Sequence, residues 1–150
     1  MGKATQDVYG KITNVPWKIN DSGIDDNDLN KPVKLVSSDT VALCSDGDQI
    51  YGFINSVEQR TQDGKTIVGI QDSGRVWVQL SGASSFGALV EAGANSAAGT
   101  ANSGTKKAIV STHSYDTTDA ASLAGTLVDK AWKIISGTFS DGDTVLIEKQ

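Results

Sequence analysis

From Pro32 to Leu80 the chain alternates apolar and polar positions in strand-length stretches, each rich in β-branched or aromatic residues and closed by a small polar turn. The stretches are residues 33–36, 40–44, 49–57, 66–71 and 75–80. The breaks between them are Ser37-Ser38-Asp39, Ser45-Asp46-Gly47-Asp48, Gln62-Asp63-Gly64-Lys65 and Asp72-Ser73-Gly74. In the last stretch Val76, Val78 and Leu80 share one face of a pleated strand, and Trp77 and Gln79 share the other. The first face is a core face. The outward Trp77 is expected under a second sheet or a covering loop, with a subunit neighbour as the alternative.

The pattern thins after Leu80. Residues 81–105 are nearly all Gly, Ala, Ser, Asn and Thr, interrupted by Phe86 and Leu89-Val90-Glu91, which reads as an extended surface loop carrying one short strand. Residues 106–110 resume an extended pattern. Thr117 to Gly125 has room for one helical turn, capped by Thr118 or Asp119 and stopped at Gly125. Closing strands are expected at Thr126-Leu127-Val128, 131–135 and 144–148, the last two joined by Ser140-Asp141-Gly142-Asp143 as a hairpin-type turn. Ser-Asp-Gly-Asp therefore occurs twice, at 45–48 and 140–143, and both copies read as turns; their flanks do not align as a duplicated unit.

Residues 1–31 are different in kind. Val8, Tyr9, Ile12, Val15, Trp17, Ile19 and Ile24 are scattered singly, and 21–30 is almost entirely polar. Such a segment orders only against its own barrel, a sister subunit or a partner, because alone it buries too little to offset its conformational entropy. Two readings stand: an N-terminal arm with a linker, or a first strand of the same barrel. The organisation expected is an arm and linker over 1–31 and a β-barrel or β-sandwich domain over 32–150, all-β with at most one short helix.

A chain of 150 residues is long enough to build a core without staples. With 16 Gly, 6% aromatic residues and much Ala, that core is expected to be thin or completed by a neighbour, which points to oligomerisation. The net charge of −5 and the absence of a Lys/Arg cluster remove the main attraction for nucleic acid. The N-terminus lacks an apolar signal region and no stretch approaches the ~20 apolar residues that span a bilayer, so neither secretion nor a membrane partner is expected.

Candidate chemistry is sparse. Asp25-Asp26-Asn27-Asp28 and the two Asp-Gly-Asp turns offer oxygen ligands of the kind Ca²⁺ takes, but they lack the Gly and the bidentate Glu of a helix-loop-helix calcium loop, and solvated turns are the favoured reading. His113, in Ser111-Thr112-His113-Ser114-Tyr115-Asp116, cannot assemble a triad with its neighbours, since adjacent residues of an extended segment face opposite ways. Cys44 is the one thiol, so no disulfide forms within the chain, and its apolar setting offers no cation to lower its pKa. No Walker or dinucleotide glycine loop is present. No metal, cofactor or catalytic residue is expected.

Lys31-Pro32-Val33-Lys34-Leu35, Thr40-Val41-Ala42-Leu43-Cys44-Ser45-Asp46-Gly47-Asp48, Ile50-Tyr51-Gly52-Phe53-Ile54, Val57-Glu58 and the run from Gly64 to Leu80 together resemble the tailed-bacteriophage capsid decoration (cement) proteins. The likeness covers roughly residues 31–82, and extends loosely to Gly125–Val128 and Gly142-Asp143-Thr144-Val145; it leaves out the linker at 21–30 and the tract at 83–104. The resemblance implies a small β-barrel or sandwich, usually a homotrimer and less often a dimer, on the outer surface of the virion capsid between capsomers. There it would bind the major capsid protein and stabilise the shell against internal DNA pressure. Val8, Tyr9, Ile12, Val15, Trp17 and Trp77 are then the candidate capsid or inter-subunit contacts, the arm adding a strand to an exposed edge. Two other classes compete: a carbohydrate- or host-surface-binding β module stacking sugars on Trp17, Trp77 or Trp132, and a Cys44-dependent hydrolase.

Overall fold

The computed structural model describes residues 5–6, 12–13, 17–20, 23–59, 66–93, 107–113 and 132–149, with backbone alone for those before 21 and for residue 59. Over these residues the protein is all-β apart from one 3-10 turn. Strands β1 (Thr5–Gln6) and β2 (Ile12–Thr13) form a small antiparallel ladder. Five more strands close into a ring: β3 (Trp17–Asn20), β4 (Pro32–Leu35), β5 (Thr40–Leu43), β6 (Gly52–Gln59) and β7 (Thr66–Gln71). Antiparallel pairs β5–β4, β4–β6 and β6–β7 make most of it. β3 seals it, running parallel to β5 on one side and antiparallel to β7 on the other. Of the two readings of the N-terminal segment, the first-strand reading holds for Trp17–Asn20.

The remaining strands, β8 (Gly74–Leu80), β9 (Val90–Ala92), β10 (Ile109–Thr112), β11 (Lys133–Gly137) and β12 (Thr144–Lys149), form a second sheet in the order β11-β12-β8-β10-β9. Its two ends also meet. Leu89 bridges Lys133, the Val90 N–H donates to the Trp132 carbonyl at 3.0 Å, and the Ile134 N–H donates to the Ala88 carbonyl at 2.9 Å. Open rows of N–H and C=O, which invite edge-to-edge aggregation, are thereby covered.

Asp72-Ser73-Gly74 is a crossover and not a hairpin turn, because β7 belongs to the ring and β8 to the second sheet. Gly74 takes φ 85° there, and the Gln71 side-chain amide braces the corner by donating to the Ser73 and Arg75 carbonyls at 3.1 and 3.0 Å. Bulges between Ile54 and Ser56 and between Ile134 and Ser136 bend β6 and β11.

Each sheet has its own core. Ile24, Val33, Val41, Ile54, Val68 and Ile70 fill the ring. Val78, Leu80, Val90, Val110, Trp132, Ile134, Val145 and Ile147 fill the curled sheet, and Cys44, Ile50 and Phe53 reach into that second core from the ring side. The two halves therefore pack as one body.

The polar segment before β4 is more than a linker. Ile24 is buried in the ring core, and Asp25 caps the turn Asp26–Asp28, accepting from the Asn27 N–H while the Asp28 carboxylate accepts from the Asp25 N–H at 2.8 Å. Asp28 is itself buried and paired with Lys31 at 2.7 Å.

The two Ser-Asp-Gly-Asp turns are built alike. In each, the first Ser N–H donates to the last Asp carboxylate (2.7 Å for Ser45–Asp48, 2.8 Å for Ser140–Asp143), and the Gly takes φ 81°. In each, the Gly N–H and the last Asp carbonyl clasp one residue of the curled sheet: Ala92 for the first turn, Leu80 for the second. The repeated tetrapeptide is thus one device used twice. The expected helical turn at 117–125, the strand at 126–128 and the turn at 62–65 lie outside the described residues.

Candidate functional site

Among the described residues, two depressions and a few exposed apolar side chains stand out on the surface. The first depression, about 480 Å³, is lined by Lys34, Leu35, Asp48, Gln49, Ile50, Tyr51 and Lys149. Two of its charges, Lys34 and Asp48, are committed to each other. Lys34 Nζ donates to Asp48 Oδ2 at 2.6 Å, raising the lysine pKa above its ordinary value. Burial pushes the Asp48 carboxyl upward, but the bonds from Lys34 and the Ser45 N–H outweigh it and hold its pKa below the usual range. Lys149 Nζ donates to the Tyr51 carbonyl at 3.2 Å and lies 5.3 Å from the centroid of its ring, joining the last strand to the start of β6. The Tyr51 hydroxyl, pushed to about 12 by burial and by its bond to Asp72 at 3.0 Å, stays protonated at any physiological pH.

Beside this cleft the β4–β5 hairpin tip carries Leu35 and Val36, 49% and 54% exposed. The tip is held by the Val36 N–H donating to the Thr40 carbonyl at 2.9 Å. Two adjacent aliphatic side chains on a braced hairpin are an exposed apolar element; each is already about half covered, so burying the rest is worth about half of the ~1.5–3 kcal/mol that full burial gives. Phe86, 71% exposed, is a second such element, on the connection after β8.

The second depression, about 290 Å³, lies where the ring meets the curled sheet. Buried Phe53, Ile54 and Ala108 line it together with Val76, and the polar lining is Asn30, Asn55, Gln71, Arg75 and Lys107. Trp77 completes it and is 52% exposed, so among the described residues no sheet or loop closes over this indole. Arg75 Nε donates to the buried Glu148 carboxylate at 2.8 Å, which fixes the guanidinium across β8 and β12.

Of the other residues singled out in the sequence, Val8, Tyr9 and Val15 lie outside the described residues. Ile12 falls in β2 and Trp17 in β3. Trp132 is 1% exposed at the heart of the second core, which removes it as a sugar-stacking residue. Cys44 is fully buried, its thiol pushed to about 12 chiefly by burial, and its Sγ sits 4.0 Å from the Gln49 carbonyl. His113 Nδ1 lies 2.6 Å from Glu91 Oε2, a cross-strand pair between β9 and the end of β10. Asp25 and Asp28 spend carboxylate oxygens on backbone N–H groups and Lys31, and among the described residues no group of three or more His, Cys, Asp or Glu gathers as metal ligands.

The groove around Trp77 is the feature that sequence reasoning missed. Its polar residues come from positions 30, 55, 71, 75 and 107, and no spacing along the chain links them; the one available signal was an outward Trp beside an Arg on β8. Comparison of the chain with protein-family models, with curated proteins and with solved structures gives no match.

Proposed function

We propose that this protein is a structural adhesion module, a capsid decoration protein that binds the outer surface of a tailed-phage head between capsomers and stabilises the shell. The observation that carries the reading is the pair Leu35 and Val36, two large aliphatic side chains held out on a braced hairpin of an acidic, edge-covered β scaffold. With Phe86 they offer separate apolar feet, each worth little alone. Repetition in a homotrimer or dimer converts weak feet into tight binding, since the second and third contacts form at high effective concentration. The −5 charge suits an exterior position away from packaged DNA, and the resemblance over residues 31–82 points the same way. In this reading Val8, Tyr9, Ile12 and Val15 serve as the arm that clamps the major capsid protein or a sister subunit, while Trp17, on β3, belongs to the ring and not to the arm.

The test is co-sedimentation with expanded heads of the encoding virus that lack their decoration protein, followed by measurement of the temperature at which the heads release DNA. Binding with a raised release temperature is the expected result. Leu35→Asp with Val36→Asp should abolish binding without unfolding the protein. Failure of the folded, unmodified protein to bind expanded heads overturns the reading.

A further inference from the structure

We propose that the groove between the ring and the curled sheet is a binding site for an acidic saccharide, with Trp77 as its stacking platform. The juxtaposition that carries this is a half-exposed indole facing a concavity whose polar lining, among the described residues, holds three amides and two cations and no carboxylate. In a chain of net charge −5, that lining is the opposite of what composition alone would place there.

Each part matches a property of the ligand. The C–H face of a pyranose ring is apolar and packs on an indole, while its edge is a row of hydroxyls, each both donor and acceptor. Asn30, Asn55 and Gln71 carry amides, which offer both functions and pair with hydroxyls without being charged. Gln71 already spends its Nε2 on the Ser73 and Arg75 carbonyls, so of its amide the carbonyl oxygen alone serves a ligand, as an acceptor. Arg75 and Lys107 supply the positive field that selects a uronic or sialic acid carboxylate over a neutral sugar. Arg75 is fixed by Glu148, so part of its charge is already compensated, and Lys107, 3.5 Å from Thr144 Oγ1, is the more available of the two.

Position and size agree. Ligand grooves favour the junction between packed units, and a volume near 300 Å³ is at the small end of such sites, suited to one or two sugar rings. The lining is contributed by both halves of the molecule, by β6 and β7 on one side and β8 and Lys107 on the other, so its width is set by packing that the fold fixes. None of this depends on the shell reading: Leu35, Val36 and Phe86 are absent from the groove, and a glycan site would add recognition of a saccharide surface to whatever those residues hold.

The test is a heteronuclear NMR titration of the full chain with trigalacturonate, with 3′-sialyllactose, with the neutral trimer of N-acetylglucosamine and with adenosine monophosphate. Expected are shifts of the Trp77 indole and of the Asn55 and Gln71 side-chain amides with at least one of the two acidic sugars, at least tenfold tighter than with the neutral trimer. Trp77→Ala should weaken that binding tenfold or more while the amide spectrum keeps its dispersion, and Lys107→Gln should shrink the preference for acidic over neutral sugar. Asn55→Ala provides a second variant that leaves the aromatic face intact and should also weaken binding. Saturation by neither acidic sugar, equal affinity for the neutral trimer, tighter binding of the nucleotide, or unchanged affinity in Trp77→Ala would each overturn the proposal.

Discussion

The ring of Phe53, on β6, meets the indole of Trp132 edge to face, centroids 5.1 Å apart and planes at 77°. Phe53 comes from the ring of five strands and Trp132 from the curled sheet, so this contact sits on the seam that makes the two halves one body. Truncating either side chain to Ala removes a large, fully enclosed volume and should cost about 3–5 kcal/mol of unfolding free energy. A double-mutant cycle between them should return a coupling of about 0.5–1.5 kcal/mol, the range for a favourable aromatic pair beyond its buried area. Trp132 Nε1 is buried without a hydrogen-bond partner among the described residues, so Trp132→Phe deletes a donor that none of them satisfies and should cost clearly less than Trp132→Ala. Urea unfolding followed by circular dichroism measures all four; a coupling of zero would mean that the seam is held elsewhere.

Gly52 opens β6 where the strand lies tight against the end of β7. A Cβ there would stand 2.5 Å from the Gln71 carbonyl oxygen and 2.6 Å from Ile70 Cγ2. The oxygen belongs to backbone and has nowhere to retreat, so Gly52→Ala must spread the β6–β7 ladder at the corner where the chain leaves the ring for β8. Destabilisation of at least about 2 kcal/mol is expected, with lost protection of the Ile70 and Gln71 amides in hydrogen exchange. A variant as stable as the parent protein would show that this approach is not close in solution.

The twin turns give a matched pair of substitutions. Gly47 and Gly142 share φ 81°; a Cβ would meet nothing within 4 Å at the first and only the Gln79 side-chain amide, at 4.0 Å, at the second. The penalty of an added methyl is therefore that of the left-handed backbone alone, about 1–2 kcal/mol at each site. Because the two sites are far apart in sequence and clasp different strands, the double variant should lose about the sum. Thermal unfolding of Gly47→Ala, Gly142→Ala and the pair decides it, and strongly unequal single effects would refute the equivalence of the two turns.

What the sequence disclosed and what it withheld divide along physical lines. Alternation in 75–80 assigned Val76, Val78 and Leu80 to the core face and Trp77 and Gln79 to the other, since a period of two fixes which face a side chain takes; Val78 and Leu80 are buried, and Val76 is half-buried against them. It cannot fix which strand lies alongside. The parallel pairing of β3 with β5, and the crossing from ring to sheet at Gly74, rest on contacts between residues far apart in the chain. Trp132 was misjudged as a possible sugar platform although it shares a face with Ile134 and opposes Lys133, the pattern of an inward residue. Ile24 was hidden because one apolar residue in a polar run carries no periodicity. The groove was hidden for the same reason that its pieces are scattered: it exists only once two sheets are packed.

Titrations of three groups predict how stability depends on alkaline pH. The Cys44 thiol is raised from its ordinary 9.0 to about 12 by burial, the Tyr51 phenol from 10.0 to about 12 by burial and Asp72, and the Lys34 ammonium above 10.5 by its bond to Asp48. Each has a folded pKa above its unfolded one, so each contributes stability that is whole below the unfolded value and is lost as pH rises through the folded one. The loss therefore begins near pH 9 with the thiol, which ionises readily in the unfolded chain and not in the core, and deepens above pH 10. On the acid side Asp48 acts in the opposite sense: its lowered pKa contributes stability that is present above the ordinary carboxylate value and fades as pH falls below it. The expected profile of urea midpoint against pH is thus a plateau from about pH 5 to 8.5 with a falling limb on each side. Cys44→Ala should lower the plateau by leaving a small cavity yet flatten the first part of the alkaline limb, and Asp48→Asn should flatten the acid one. An alkaline limb in Cys44→Ala as steep between pH 9 and 10 as in the parent would show that the thiol is not enclosed as described.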